Sequence, residues 1–373
     1  MYRKQIEQIS QDLEKKMVFI VGPRQVGKTW LAKEIGKKFT NTVYLNYDRA
    51  EDRQIMKKEQ WPSHTELLVF DELHKMKGWK NYLKGVFDTK ESGLRILVTG
   101  SARMDTFRKS GDSLAGRFFV HHLFPISLAE IKDLEHSYGI NHFIRRGGFP
   151  EPFLADSDDE AERWRAQYAD GLVRTDILNF ETLHNMKAVQ MIFDLLRERV
   201  GSPISYSAIA SDVELSPLTV KKYIEIFEAL YIVFRVTPHS RNIARSILKE
   251  PKIYFYDTGL VHAEEGVKFE NLIAVSLLKH LAALTDATGK NHRLHYLRTK
   301  QGHEVDFALV KENIPMEMIE VKLSDGELSK NLQYFSDKYK IHGRQVVKNL
   351  KRERTVGIND IVLAEKFLKN LYL

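Results

Sequence analysis

An apolar pentapeptide, MVFIV at residues 17–21, runs directly into GPRQVGKT and then into WLAKEIGKKF. A strand that is apolar at every position is one covered on both faces, which places it inside a parallel sheet flanked by helices. The G-x-x-x-x-G-K-T pattern between such a strand and a helix predicts a loop that cradles phosphates. Its residues are Gly22, Pro23, Arg24, Gln25, Val26, Gly27, Lys28 and Thr29. The two glycines let the backbone turn tightly and aim N–H groups inward. The following helix adds positive charge at its N-terminus. In this pattern Lys28 reaches the β- and γ-phosphates, and the Thr29 hydroxyl ligates magnesium. The expected cofactors are therefore ATP and Mg2+.

A second buried strand, LLVF at 67–70, ends in Asp71 and Glu72. Asp71 is expected to hold the metal, directly or through water, and Glu72 to polarise the attacking water as general base. A third strand runs through LRILVTG, and ligands of parallel sheets collect at the carboxyl ends of strands. Either Thr99 or Ser101 is placed there to touch the γ-phosphate or the water. An ordinary strand-to-loop turn is the plain alternative.

At 373 residues the chain is long enough for two or three domains. Its 43% hydrophobic and 29% charged content is that of a globular protein. Cysteine is absent, which excludes disulfides and thiolate-bound zinc or iron–sulfur sites. No apolar run reaches the ~18 residues of a membrane span, and the charged start lacks the apolar centre of a signal peptide. The expected address is cytoplasmic, with no membrane partner. A net charge of +7 is compatible with nucleic acid but does not require it.

Five stretches in this order, GPRQVGKT, LLVFDELHK, ILVTGSA, SLAGRF and RRGGFPEP, resemble prokaryotic AAA-type (AAA+) ATPases fused to a C-terminal domain of unknown function. The resemblance covers nearly the whole chain. It implies an ATP-hydrolysing parallel-sheet core and gives Arg117, in the L-x-G-R stretch, the part of an arginine finger or sensor. A guanidinium there would offset charge on the γ-phosphoryl group in cis or from a neighbouring subunit. The alternative is a surface pair with Asp112. Arg145 and Arg146 are further candidates for a second sensor, and assembly into an oligomer is an expectation of the same kind.

The fold class expected is α/β, in four parts: an ATPase core at 1–150, a helical lid at 151–186, a winged helix at 187–258 and a nuclease-like domain at 259–373. The acidic DSDDEAERW opens the lid helix. Ser216-Pro217 caps and starts a helix whose Val220, Tyr223, Ile224, Phe227, Leu230 and Tyr231 form one core stripe. Two strand-like runs, YIVFRVTP and KIYFYD, complete a winged helix-turn-helix, a fold that often reads DNA through its third helix. The open side of that helix carries Lys221 and Lys222 beside Thr219, Glu225 and Glu228, a poor phosphate-binding face. Arg235, Arg241, Arg245 and Lys249 make the wing the better candidate.

In the last part, Asp306 lies in HEVDFALV, and Glu320 and Lys322 lie two apart in IEVK, so both face one side of a strand. Thirteen residues separate Asp306 from Glu320. This arrangement resembles the PD-(D/E)xK nucleases, in which carboxylates hold magnesium and the lysine orients water. Glu270, on the preceding helix, is a further candidate ligand. A solvated strand face with a Glu320–Lys322 ion pair is the alternative. The function expected is thus an ATPase acting on DNA, with nucleotide-switched cleavage as its strongest form; a non-nucleolytic switch that binds a protein or DNA partner is the other reading.

Overall fold

The three apolar strands read at the front end are present, and two strands not read in the sequence, Thr42–Asn46 and Phe118–His122, join them. The computed structural model describes residues 3–100, 114–131, 138–172, 185–240 and 250–373. They divide into two units, Met1–Phe124 with Ala229–Tyr231, and Pro125–Glu228 with Ile232–Leu373.

In the first unit, β1 (Met17–Val21), β2 (Thr42–Asn46), β3 (Leu67–Asp71), β4 (Arg95–Thr99) and β5 (Phe118–His122) form one sheet in the order β2-β3-β4-β1-β5. Every pairing is parallel. Burial explains the arrangement: all five residues of β1 and of β3 are covered, and helices are what cover a parallel sheet. Phe19, Leu68, Phe70 and Val98 pack with Trp79 and Leu83 of the helix Trp79–Thr89 into one core. Register fixes the carboxyl edge, with Ile20 level with Thr99, and Thr99 level with Asp71.

In the second unit, three helices (Met186–Glu198, Tyr206–Asp212 and Pro217–Ala229) precede β6 (Val233–Pro238) and β7 (Lys252–Phe255). Their starts follow local chemistry: Asn185, Ser205 and Ser216 each accept a backbone N–H three residues on. The helix Glu265–Thr288 leads to β8 (His292–Arg298), β9 (Glu304–Lys311) and β10 (Ile314–Ser324). After the helix Lys330–Tyr339 come β11 (Gly343–Asn349), β12 (Arg354–Val356) and β13 (Asn359–Leu363). Eight strands make a mixed sheet in the order β12-β13-β11-β10-β9-β8-β6-β7.

Two boundaries differ from those read in the sequence. The strands β6 and β7 do not form a free-standing wing: they pair with each other, and Thr237 and Pro238 pair in parallel with His295 and Tyr296 of β8, so both strands share a sheet with the C-terminal strands. The first unit also ends at Phe124 rather than near residue 150. The segment from Pro125 is tied to the long helix by Lys279, which donates to Pro125 O at 2.8 Å and pairs with Glu130. Both side chains of that pair are at most 2% exposed. Ile126 N donates to Gly148 O at 2.7 Å and extends the attachment. Strand β12 has three residues, and β13 mixes polar Asn359 and Asp360 with its apolar residues, so neither stood out in the sequence. Among the described residues no helix is long and apolar enough to cross a membrane.

Removing one member of a buried ion pair leaves an uncompensated charge, whereas removing both can be nearly neutral. Lys279→Met is expected to destabilise the second unit by about 3–5 kcal/mol, and Lys279→Met with Glu130→Leu to recover most of the loss. Denaturant titrations of the three proteins measure both steps.

Candidate nucleotide site

The loop after β1 is shaped by three left-handed residues: Gly22 at φ 149°, Gln25 at 58° and Gly27 at 99°. Such a run turns successive N–H groups toward one concavity. Gly22 is fixed by space as well, because a Cβ there would lie 2.1 Å from Leu123 O. Leu123 is held in that position by its own N–H bond of 2.8 Å to Val21 O. Gly27 then starts the helix Lys28–Gly36, whose first turn faces the loop.

Lys28 is 7% exposed and folds back on the loop, donating to Gly22 O at 3.0 Å and to Pro23 O. Burial pulls its pKa down to about 8; the nearby Glu72 and Asp71 oppose that fall, and Arg24 adds to it. The ammonium therefore sits in a dry site with only carbonyl partners and two carboxylates close by. Thr29 donates from Oγ1 to Asp71 Oδ2 at 2.9 Å. This joins the loop to the end of β3 and sets a hydroxyl beside a carboxylate, the donor set of a hard cation.

Asp71 takes two more hydroxyl donors, Tyr44 from β2 on Oδ2 and Thr99 from β4 on Oδ1. Both follow from the register that aligns three strand ends. Burial and the Asp71 carboxylate together push the Tyr44 phenol upward, so it stays a donor. Glu72 sits next in a left-handed backbone conformation, φ 57°. That conformation costs a non-glycine residue on the order of 1–3 kcal/mol. It ends β3 and turns the chain into the short helix Leu73–Lys75. Burial raises the Glu72 carboxyl, helped by Asp71 and Asp48 and opposed by Lys75 and Lys28. A raised carboxyl beside a phosphate loop suits a proton acceptor.

Arg117 is placed away from the loop. Its carbonyl accepts from Met17 N at 3.1 Å, so it lies level with the beginning of β1, whereas the phosphate loop follows the end. The length of β1, about 13 Å, lies between them. Its guanidinium makes a two-pronged bond to Asp88, at 2.8 and 3.1 Å. In this structure the guanidinium is held at Asp88, away from its own loop. Arg145 and Arg146 both pair with Asp158, at 3.2 and 2.7 Å. Ser101 and Asp112 lie outside the described residues, as do Arg241, Arg245 and Lys249 of the expected wing. Arg235 is taken up by Glu228, whose carboxylate it grips through Nε at 2.8 Å, with Glu225 3.9 Å away.

In the second unit, Glu270, Asp306, Glu320 and Lys322 do approach one another. Lys322 Nζ donates to Glu320 Oε1 at 2.9 Å, and Ser329 Oγ donates to the same oxygen at 3.0 Å. Asp306 Oδ2 accepts from Val321 N at 2.8 Å. Tyr254 donates to Glu270 Oε1 at 2.7 Å. Burial, with Glu270 and Glu320 adding repulsion, holds the Asp306 carboxyl well above the usual carboxylate range. Lys252 of β7 enters the same cluster, and neither it nor Tyr254 was legible as a site residue. Among the described residues no group of three or more His, Asp or Glu is placed to hold a metal ion.

Other site residues were also missed. Arg3, 3% exposed, donates to Val26 O at 3.0 Å and Phe124 O at 3.3 Å, bracing the loop from a terminal segment that reads as a plain charged stretch. Tyr44 sits in the strand TVYLN, where nothing distinguishes it from a packing aromatic.

Residues 14–132 match the family described as AAA domain; residues 138–271 and 265–365 match two domains of unknown function, DUF8612 and DUF4143. An uncharacterized protein of Mycobacterium tuberculosis is 25% identical over 307 residues, covering 78% of this chain and 66% of that protein. This chain thus spans just under two thirds of that relative's length. An uncharacterized protein of Methanocaldococcus jannaschii is 25% identical over 368 residues, 88% of this chain and 80% of its own. Among solved structures, a Walker-type ATPase of Pyrococcus abyssi is 12% identical at a TM-score of 0.45, covering 69% of this chain and 94% of that one. A Thermotoga maritima RuvB variant is 16% identical at a TM-score of 0.34, covering 63% of this chain and 90% of its own. The front of the chain therefore carries an AAA-type P-loop domain.

Because bound phosphates favour the charged ammonium, ATP binding should return Lys28 to its protonated form. Below pH 8 the lysine already holds that proton, so little is taken up. Above pH 8 it is mostly neutral, so binding draws a proton from solution and weakens as pH rises. Calorimetry at pH 8.5–9 in buffers of different ionisation enthalpy should show this uptake, and the same titration at pH 6.5–7 should show little of it.

Proposed function

We propose that this chain binds and hydrolyses ATP at the loop of Gly22–Thr29 and uses its nucleotide state to control engagement of a macromolecular partner. The observation that carries this reading is the meeting of Thr29 and Asp71 at 2.9 Å, with Glu72 as the next residue along the chain. When nucleotide enters, Lys28 exchanges the carbonyls of Gly22 and Pro23 for the β- and γ-phosphates. Thr29 and Asp71 are the residues that would hold Mg2+, which neutralises charge on the phosphates when bound. Glu72 accepts the proton of the attacking water as its oxygen bonds to the γ-phosphorus and the β–γ bridging bond breaks. Thr99, fully buried at the end of β4, keeps Asp71 oriented through that step.

Arg117 acts, on this reading, from a neighbouring copy, giving up Asp88 for that copy's γ-phosphate. Specific turnover should then rise with protein concentration, and Arg117→Ala should remove the rise without weakening ATP binding.

Among partners, DNA remains the substrate class suggested by the winged-helix and nuclease-like readings of the sequence. The capture of Arg235 by Glu228 takes one cation out of the expected DNA-facing set and favours the switch without cleavage. Turnover and binding assays decide the core of the proposal. Wild type should hydrolyse ATP with Mg2+, Glu72→Gln should bind ATP but lose about 10²–10⁴ in turnover, and Lys28→Ala should lose both. Unchanged hydrolysis in Lys28→Ala would refute the assignment. DNA binding that falls steeply with salt would make the partner a nucleic acid.

A further inference from the structure

The nuclease-like carboxylates of the second unit imply a divalent metal, and the side chains around them do not fit one. Lys252 is 2% exposed and rises from β7 into the cluster. Its ammonium lies 2.7 Å from Glu304 Oε1, 3.9 Å from Glu270 Oε1 and 4.0 Å from Asp306 Oδ1, and 5.4 Å from the centre of the Tyr296 ring. Tyr254, two residues along the same strand, donates to Glu270 from the same side. Gly201 closes over that carboxylate, since a Cβ at Gly201 would lie 2.9 Å from Glu270 Oε1.

We propose that the Lys252 ammonium is the resident cation of this cluster, standing where a nuclease of this layout would hold its metal. Mg2+ binds carboxylate oxygens at about 2.1 Å. An ion shared by Glu270 Oε1 and Asp306 Oδ1 would therefore lie within about 6 Å of Lys252 Nζ, in a site with little solvent to screen the repulsion.

The surrounding charges agree. Glu270, Glu304, Asp306 and Glu320 already face three cations, Lys252, Lys322 and Arg298, whose Nε is 3.7 Å from Glu304. One oxygen, Glu320 Oε2, is buried without a hydrogen-bond partner among the described residues, and a single orphan acceptor is too few ligands for Mg2+. Lys252 also explains why β6 and β7 belong to the C-terminal sheet: the hairpin delivers the counter-ion that the carboxylates of β9 and the long helix need.

The test is Mn2+ binding to the nucleotide-free full chain, followed by electron paramagnetic resonance. Wild type and Asp306→Asn should bind the same number of ions, with no site that depends on Asp306. Lys252→Met should gain one Mn2+ with at least about tenfold higher affinity than wild type, and Lys252→Met with Asp306→Asn should lose it again. The comparison of wild type with Asp306→Asn stands even if Lys252→Met folds poorly. A Mn2+ ion in the wild type that Asp306→Asn releases would overturn the proposal. ATP turnover plays no part in this readout, so its result is independent of the nucleotide site.

Discussion

Asp71 is the residue on which the nucleotide end of the molecule depends. Three hydroxyls converge on one carboxylate, and each comes from a different element: the helix after β1, the middle of β2 and the end of β4. None of these elements is close to β3 in sequence. They meet because parallel pairing sets Thr99 level with Asp71 and Tyr44 level with Val69, from where its long side chain reaches Asp71. A carboxylate 3% exposed requires such donors, since an uncompensated buried charge is costly. The hydroxyls that satisfy it also leave Thr29 beside it, so stability of the sheet edge and readiness for a cation come from the same bonds.

What could be read from the sequence was whatever is local. The phosphate loop is eight consecutive residues whose glycine positions follow from backbone geometry, and the strands beside it are apolar at every position. Asp71 and Glu72 gained meaning from the strand they end. Arg3, Tyr44 and Lys252 had no such signal: each acts across a long sequence separation, and each belongs to a residue type common on surfaces or in cores. Arg117 shows the converse. Its motif suggested phosphate, but the direction of β5 in a parallel sheet puts the residue before that strand at the edge away from the loop.

The two clusters of carboxylates differ in how their charge is met. Around Asp71 the partners are neutral hydroxyls, and the Lys28 ammonium is bonded to loop carbonyls instead. Around Asp306 the partners include an ammonium fixed in the sheet and another, on Lys322, at its rim. On the proposed reading, the first leaves an oxygen-rich place for an incoming cation. The second supplies positive charge from the chain itself. Resemblance of sequence motifs does not separate these cases, because both read as acidic residues at the ends or faces of apolar strands.

The parallel pairing of β6 with β8 also bears on how the chain is assembled during synthesis. Thr237 finds its partner His295 fifty-eight residues later, so the hairpin cannot complete its edge until β8 has left the ribosome. The charged side chain of Lys252 has the same wait for Glu270, Glu304 and Asp306. Contacts of such separation are slow to close and leave an apolar strand edge exposed meanwhile. The three helices at 186–229 can form early from local contacts, while the strands that follow them remain incomplete. The sheet of the second unit therefore closes last, and a ribosome pausing before residue 292 would hold an open sheet edge able to capture another nascent chain.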